Sequence, residues 1–301
     1  MRTFRREARL AVALAAMCVC SVSLPAARPA PAELETLLVR VGQRVVEYYR
    51  RAQHVVCLER STVQPILSNW SPDGLARTVE SELRVDFEAV DGDALPEPRV
   101  RREIRHINGR LPLDRDKKNR AGCTDPNPLS PEPLTFLLPA RRDDYRFISA
   151  QESRERNRAA IVIDFMTTVQ ASRPELIEDD RGHDDCFDWR GPIATRGRVW
   201  VDAETYDVLR VDRRFAGPID VRVPWRLQTR YLLPAWITLD REDVTMRFTP
   251  VTFTDPDEIL VLPESIVTMT IARNSLQSVR RTETFSDYRR FVTAGRVITD
   301  R

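Results

Sequence analysis

The chain is poor in lysine, glycine and histidine, and each shortage removes a class of function. Lys117 and Lys118 are the only lysines among 47 basic residues, so almost all of its positive charge is arginine. The arginines are interspersed with acids and the net charge is only +2. No basic stripe results, and nucleic acid is not expected as a partner. With ten glycines in 301 residues there is no glycine-rich cradle for phosphate. The three histidines are His54, His106 and His183. None stands in a His-Glu-x-x-His metal motif, and no Gly-x-Ser-x-Gly nucleophile elbow occurs. His54 and His106 read as strand or helix-end residues. No cofactor is implied by any of these patterns.

What is present begins with an export signal. Arg2, Arg5, Arg6 and Arg9 precede an uncharged apolar run from Leu10 to Ser23, and small residues and prolines follow. Basic, then apolar, then small is the order of a secretory signal peptide, assigned to residues 1–27. The run is shorter than the ~20 residues that span a bilayer. Removing Met1 to Ala27 takes away four Arg and one Glu, three net positive charges, so +2 becomes about −1. The protein is therefore expected in the periplasm or outside the cell, as a monomer that is peripheral to a membrane at most. Of five cysteines, Cys57, Cys123 and Cys186 remain. Cys57 falls in an alternating run and reads as a packed strand residue. Cys123 and Cys186 lie in polar, turn-rich segments, and an oxidising compartment favours a disulfide between them. Their spacing matches no zinc motif, and no metal site is assigned.

Residues 33–301 read as a single domain. From Glu33 to Gln53, apolar residues recur at three and four, which predicts one amphipathic helix. Gly42 is its weak point. Strands dominate afterwards. From Val79 to Val90, apolar residues alternate with Glu80, Glu82, Arg84, Asp86 and Glu88, the pattern of an antiparallel sheet with one wet face. Asn108-Gly109 predicts a tight turn. Residues 111–133 form a polar, proline-rich insertion, and Leu134 to Leu138 suits one helical turn. Strands are expected at 144–151 and 159–168. A hairpin is expected around Gly197 to Arg214, and one long strand at 219–232. Further strands are expected at 244–253, 262–272 and 279–285. A phase shift after Pro250 predicts a bulge. The expected fold is α+β and mostly β. It is a strongly curved antiparallel sheet, or incomplete barrel, of about eleven strands with the N-terminal helix packed on it.

Two groups of residues invite chemistry. Glu178 to Cys186 gathers five carboxylates, His183 and Cys186 in nine residues. Such a loop suits a hard cation, zinc or a hydrolase site, or is simply a solvated acidic loop. The second group is apolar. Trp200, Trp225, Met246, Phe248 and Met269 fall in or beside expected strands. On a concave sheet face they would line a cavity under the helix or fill it.

An export signal, an N-terminal amphipathic helix, many antiparallel strands and the hairpin with Gly197, Trp200, Val201, Asp202, Thr205, Val208, Leu209 and Arg210 resemble the outer-membrane lipoprotein-sorting (LolA-like) superfamily. The segment from Phe285 to Phe291 resembles the end of a group of uncharacterised exported bacterial proteins with the same hairpin. The resemblance implies a half-barrel and a non-enzymatic periplasmic carrier. Its ligand would be apolar, a lipid acyl chain or lipoprotein anchor held by Trp200, Trp225, Met246, Phe248 and Met269. The alternative is a periplasmic sensor or interaction module with a filled core, meeting an envelope protein through its loops. One departure stands out. Such hairpins place Gly after the Thr, where φ is positive, whereas this chain has Tyr206.

Overall fold

The first strand of this chain lies beside its last described one, and that pairing joins the sheet. The computed structural model describes residues 31–52, 54–67, 69–87, 98–113, 134–169, 173–178, 187–254, 256–273 and 277–290. The expected signal peptide, most of the expected polar insertion and residues 179–186 lie outside them, as do Cys123 and Cys186. The described chain runs α1 (Pro31–Arg51), β1 (Val55–Ile66), β2 (Arg77–Phe87), β3 (Pro98–Ile107), two 3-10 turns (Thr135–Leu137 and Pro139–Asp144), β4 (Tyr145–Glu155), β5 (Arg158–Thr167), β6 (Glu175–Glu178) and β7 (Phe187–Arg190). It continues with β8 (Thr195–Asp202), β9 (Val208–Phe215), β10 (Ile219–Arg222), α2 (Trp225–Tyr231), β11 (Trp236–Thr254), β12 (Asp257–Arg273) and β13 (Ser278–Arg290).

The sheet order is β3-β2-β1-β13-β12-β11-β9-β8-β5-β4, with β10, β6 and β7 branching from β11. Neighbours are antiparallel except β10 and β6. β3 and β4 do not pair with each other, so the curved sheet stays open and is not a barrel. Thirteen strands among the described residues exceed the eleven expected by the two short strands β6 and β7, which fall in a segment that reads as irregular.

α1 forms where the periodicity places it. Leu38, Val41, Val45, Tyr49 and Ala52 are buried against the sheet. Glu33 opens the helix and Arg50 and Arg51 close it, each charge complementing the helix dipole. Gly42 has a steric cause. A Cβ there would lie 3.0 Å from the Leu137 carbonyl and 3.1 Å from the Arg142 guanidinium. The second 3-10 turn thus comes close enough for Arg142 Nη2 to donate to the Leu38 carbonyl at 2.9 Å.

The single strand expected at 219–232 is corrected. It is β10 followed by α2. Pro224 has no N–H for a ladder, but a helix start needs none there. Leu232 ends α2 in the left-handed region at φ 55. Beneath α2, Leu176, Phe215, Val221, Val223, Leu227, Ile237 and Leu239 form a small second core. The two-residue turns behave as their letters suggest. Asn108 and Gly109 both have positive φ, as do Arg156 and Asn157 between β4 and β5. The bulge expected after Pro250 occurs slightly earlier. The register of β11 against β12 shifts between Arg247 and Phe248, leaving Glu264 unmatched.

Candidate functional site

Strand alternation divides β5, β8, β9 and β11 into two faces. Ile163, Val199, Val211 and Met246 are register neighbours and share one core with α1. One residue further along each strand, Asp164, Arg198, Asp212 and Thr245 are also register neighbours. These point to the opposite face.

Among the described residues, the face under α1 is packed. Leu38, Val41, Val45 and Tyr49 meet Val199, Val201, Val211 and Phe248 in a single apolar cluster. The void left between Val45, Tyr48, Leu134, Val208 and Phe248 is about 10 Å³. That is about the smallest space that admits one water.

The β8–β9 loop fastens α1 down. Tyr206 takes φ 61, the left-handed conformation the turn requires, without the expected glycine. Its hydroxyl accepts from Arg40 Nη1 at 2.7 Å. Asp207 accepts from Arg44 Nε at 2.5 Å and Nη2 at 3.2 Å. Asp202 sets the loop's shape. Its Oδ1 accepts from the N–H groups of Glu204 and Thr205 at 3.0 and 2.9 Å, and its other oxygen faces Arg158 at 2.6 Å. Burial pushes its carboxyl up. The loop N–H groups and Arg158 outweigh that and hold it below the usual range.

The five residues expected to line one cavity are not brought together. Met246 and Phe248 lie in the core under α1, 8% and 6% exposed. Trp200 points to the opposite face, with the Arg210 guanidinium 4.5 Å from its ring centre. Met269 is on that face too, opposite Asp243. Trp225 sits at the start of α2, 77% exposed, because Pro224 turns the chain out of the sheet. These five residues thus lie on two faces of the sheet and on a separate helix.

The cysteines of the expected disulfide, Cys123 and Cys186, and most of the acidic loop fall outside the described residues. Glu178 does not, and it braces α2. It accepts from Arg226 Nη2 at 2.6 Å, Arg230 Nη1 at 2.8 Å and the Tyr231 hydroxyl at 3.0 Å. Cys57 is a buried free thiol, pushed up to about 12 by burial, with Glu59 adding to the shift. It is unreactive as a nucleophile at neutral pH.

Sequence reasoning missed a buried polar seam. On the α1-side face of β1, Cys57 is followed in phase by Glu59 and Ser61, both buried. Ser81 on β2 stands opposite Glu59, and Glu283 on β13 stands opposite Ser61. Arg102 Nε and Nη2 donate to Glu59 at 2.5 and 2.8 Å. The Ser61 and Ser81 hydroxyls have no hydrogen-bond partner among the described residues. Burial raises the Glu283 carboxyl to about 7, while Arg281 partly opposes it. The trace in the sequence was a serine in the apolar phase of β2 and a glutamate and serine in that of β1.

The outward face carries a trough of about 530 Å³ lined by Ser149, Asp164, Arg198, Asp212, Arg214 and Asp243, among others. Its charges are largely paired. Asp164 accepts from Ser149 Oγ at 2.7 Å and Arg198 Nε at 2.8 Å. Asp212 accepts from Arg210 Nε at 2.9 Å and Nη2 at 2.5 Å. The trough has the volume of a small-molecule site but a polar lining.

No family model and no curated protein matches the chain. Among solved structures, a domain from Vibrio parahaemolyticus, provisionally described as an outer membrane lipoprotein-sorting protein domain, is similar at 12% identity and a TM-score of 0.35. The match covers 87% of this chain and 94% of that one. The chain's own strand pairing defines its architecture: a large, open, curved antiparallel sheet with an N-terminal helix on one face.

Proposed function

We propose that the protein is a non-enzymatic binding or sensing module of the cell envelope, exported by its N-terminal segment. It meets its partner from outside and does not enclose an acyl chain under α1. The observation that supports this is the packed α1 interface among the described residues, where the void beside Val45, Tyr48 and Phe248 is about 10 Å³. Pockets for ligands of drug size or larger occupy about 300 Å³ or more. Lifting α1 would expose Leu38, Val41, Val45 and Tyr49, which are buried here. Each apolar side chain exposed costs about 1.5–3 kcal/mol, before any methylene of a ligand is covered.

Native mass spectrometry of the mature protein, purified gently from an envelope fraction, tests this reading. The expected mass is that of the lipid-free chain, and cross-linking in the intact envelope should capture a protein partner on its loops. A stoichiometric acyl lipid that Phe248→Asp removes would overturn the reading in favour of a carrier that opens at α1.

A further inference from the structure

Two arginines in the outward trough are left without acceptors. Arg196 on β8 and Arg214 on β9 stand directly opposite each other. Like charges in that position repel. Both line the trough. Asp164 and Asp212 are already engaged with Arg198 and Arg210. Among the described residues, no hydrogen bond or ion pair reaches the guanidinium of Arg196 or Arg214. Next along the same rung, Asp243 on β11 stands opposite Arg214. Its Oδ2 is held by Arg241, while its Oδ1 is buried without a partner.

The rung therefore holds, in order, two guanidinium forks and one buried, unsatisfied carboxylate oxygen. Adjacent strands are about 4.8 Å apart, so the midpoint of the arginine pair lies on the order of 7 Å from Asp243 along the rung. We propose that this rung is a binding site for a small zwitterion. An oxyanion, of the phosphomonoester type, seats between Arg196 and Arg214. An ammonium group a few bonds away turns toward Asp243 Oδ1. The guanidinium forks suit a tetrahedral oxyanion because each donates two parallel N–H groups. The anion also neutralises the repulsion between them. The seat is open to solvent at one side, so it accepts either a free solute or the headgroup of a lipid. This inference deepens the reading of the protein as an external binding module and rests on it. Its test uses purified protein and defined probes, so it can fail while the lipid-free mass still stands.

The experiment is calorimetric titration of the mature protein, at low ionic strength, with phosphoethanolamine, inorganic phosphate and ethanolamine. Phosphoethanolamine should bind most tightly, phosphate more weakly, and ethanolamine not measurably. Arg196→Gln and Arg214→Gln should each weaken both anionic probes by about tenfold or more, the scale of a lost charged hydrogen bond. Asp243→Asn should weaken phosphoethanolamine and leave phosphate unchanged. Each arginine variant should melt no lower than the wild type without ligand, since it relieves a like-charge contact. A lower melting point would assign the pair to structure and overturn the proposal. So would equal affinities across the three probes, arginine variants that bind normally, or no saturable binding at millimolar concentration. Sedimentation with phosphatidylethanolamine vesicles, compared with phosphatidylcholine vesicles, separates the two sources. Specific capture supports a headgroup, and its absence with intact phosphoethanolamine binding supports a free solute.

Discussion

The same four strands make a dry face and a wet one, and a single step in sequence separates them. Ile163, Val199, Val211 and Met246 pack under α1, whereas Asp164, Arg198, Asp212 and Thr245 face the trough. The dry face holds the fold together by removing apolar surface from water. The wet face contributes little to stability, because exposed ion pairs are worth at most about 1 kcal/mol each. A region that costs little to change is free to carry specificity. A region that cannot change without a cavity is not. The closed α1 interface belongs to the second kind.

The sharpest way to break this comparison is a pair of neighbouring substitutions. Ile163→Ala should destabilise by about 4 kcal/mol in denaturant unfolding, because Ile163 is fully buried and its loss leaves a cavity. Asp164→Ala, one residue away, should cost less than about 1 kcal/mol. Equal costs would mean that the two faces are not distinct in energy.

The next largest effect belongs to the polar seam, where the dry face departs from its own rule. Glu283 has a folded pKa of about 7 against an ordinary 4.5. The sign follows from proton counting. Below about pH 4.5 both states are protonated and Glu283 adds no pH dependence. As pH rises toward 7, the unfolded chain releases this proton first, so the folded state is progressively disfavoured. Above that, the accumulated loss is constant, on the order of 3 kcal/mol. Glu283→Gln should remove this loss and be more stable than the wild type at pH 8. Parallel stability curves from pH 4.5 to 8 would show that the carboxyl is solvated after all.

A smaller effect tests the seam between the faces at Gly197. A Cβ there would lie 2.2 Å from the Asp212 carbonyl and 2.6 Å from the Phe165 ring. Gly197→Ala should cost about 2 kcal/mol, the scale of overpacking, and shift the melting point downward. The smallest effect expected is at the loop that fastens α1. Arg44→Ala should cost about 1 kcal/mol, because its partner Asp207 is better buried than Arg44 itself. Hydrogen exchange in α1 should quicken more than exchange in β8. Uniform quickening would mean that the loop holds the whole sheet and not the helix.

Much of this was legible in the letters. The three-and-four spacing from Leu34 to Ala52 specified α1, and alternation specified β2, β5 and β8. Both signals arise from one element meeting one core. What failed has physical causes. Val221, Val223, Trp225 and Leu227 alternate like a strand, but Pro224 interrupts the ladder and Leu227 then packs as a helical residue. Trp200 and Met246 both look apolar, yet register puts them on opposite faces, and register depends on strands far apart in sequence. Gly42 looked like a weakness because its reason, the Leu137 carbonyl, lies outside the helix. The unpaired arginines were invisible for the opposite reason. In a chain so rich in arginine, only the pairing of β8 with β9 shows which two face each other.

The junction of β1 with β13 has a consequence for when the protein folds. Val55 stands opposite Arg290, so an interior junction of the sheet is made from the first and last described strands. α1 likewise waits for the β8–β9 loop, since Arg44 and Asp207 are 163 positions apart. At synthesis rates of about 5–20 residues per second, α1 is without its sheet for ten seconds or more. Contacts this distant also form slowly. A chain built in this order completes its sheet only after its last described strand has emerged.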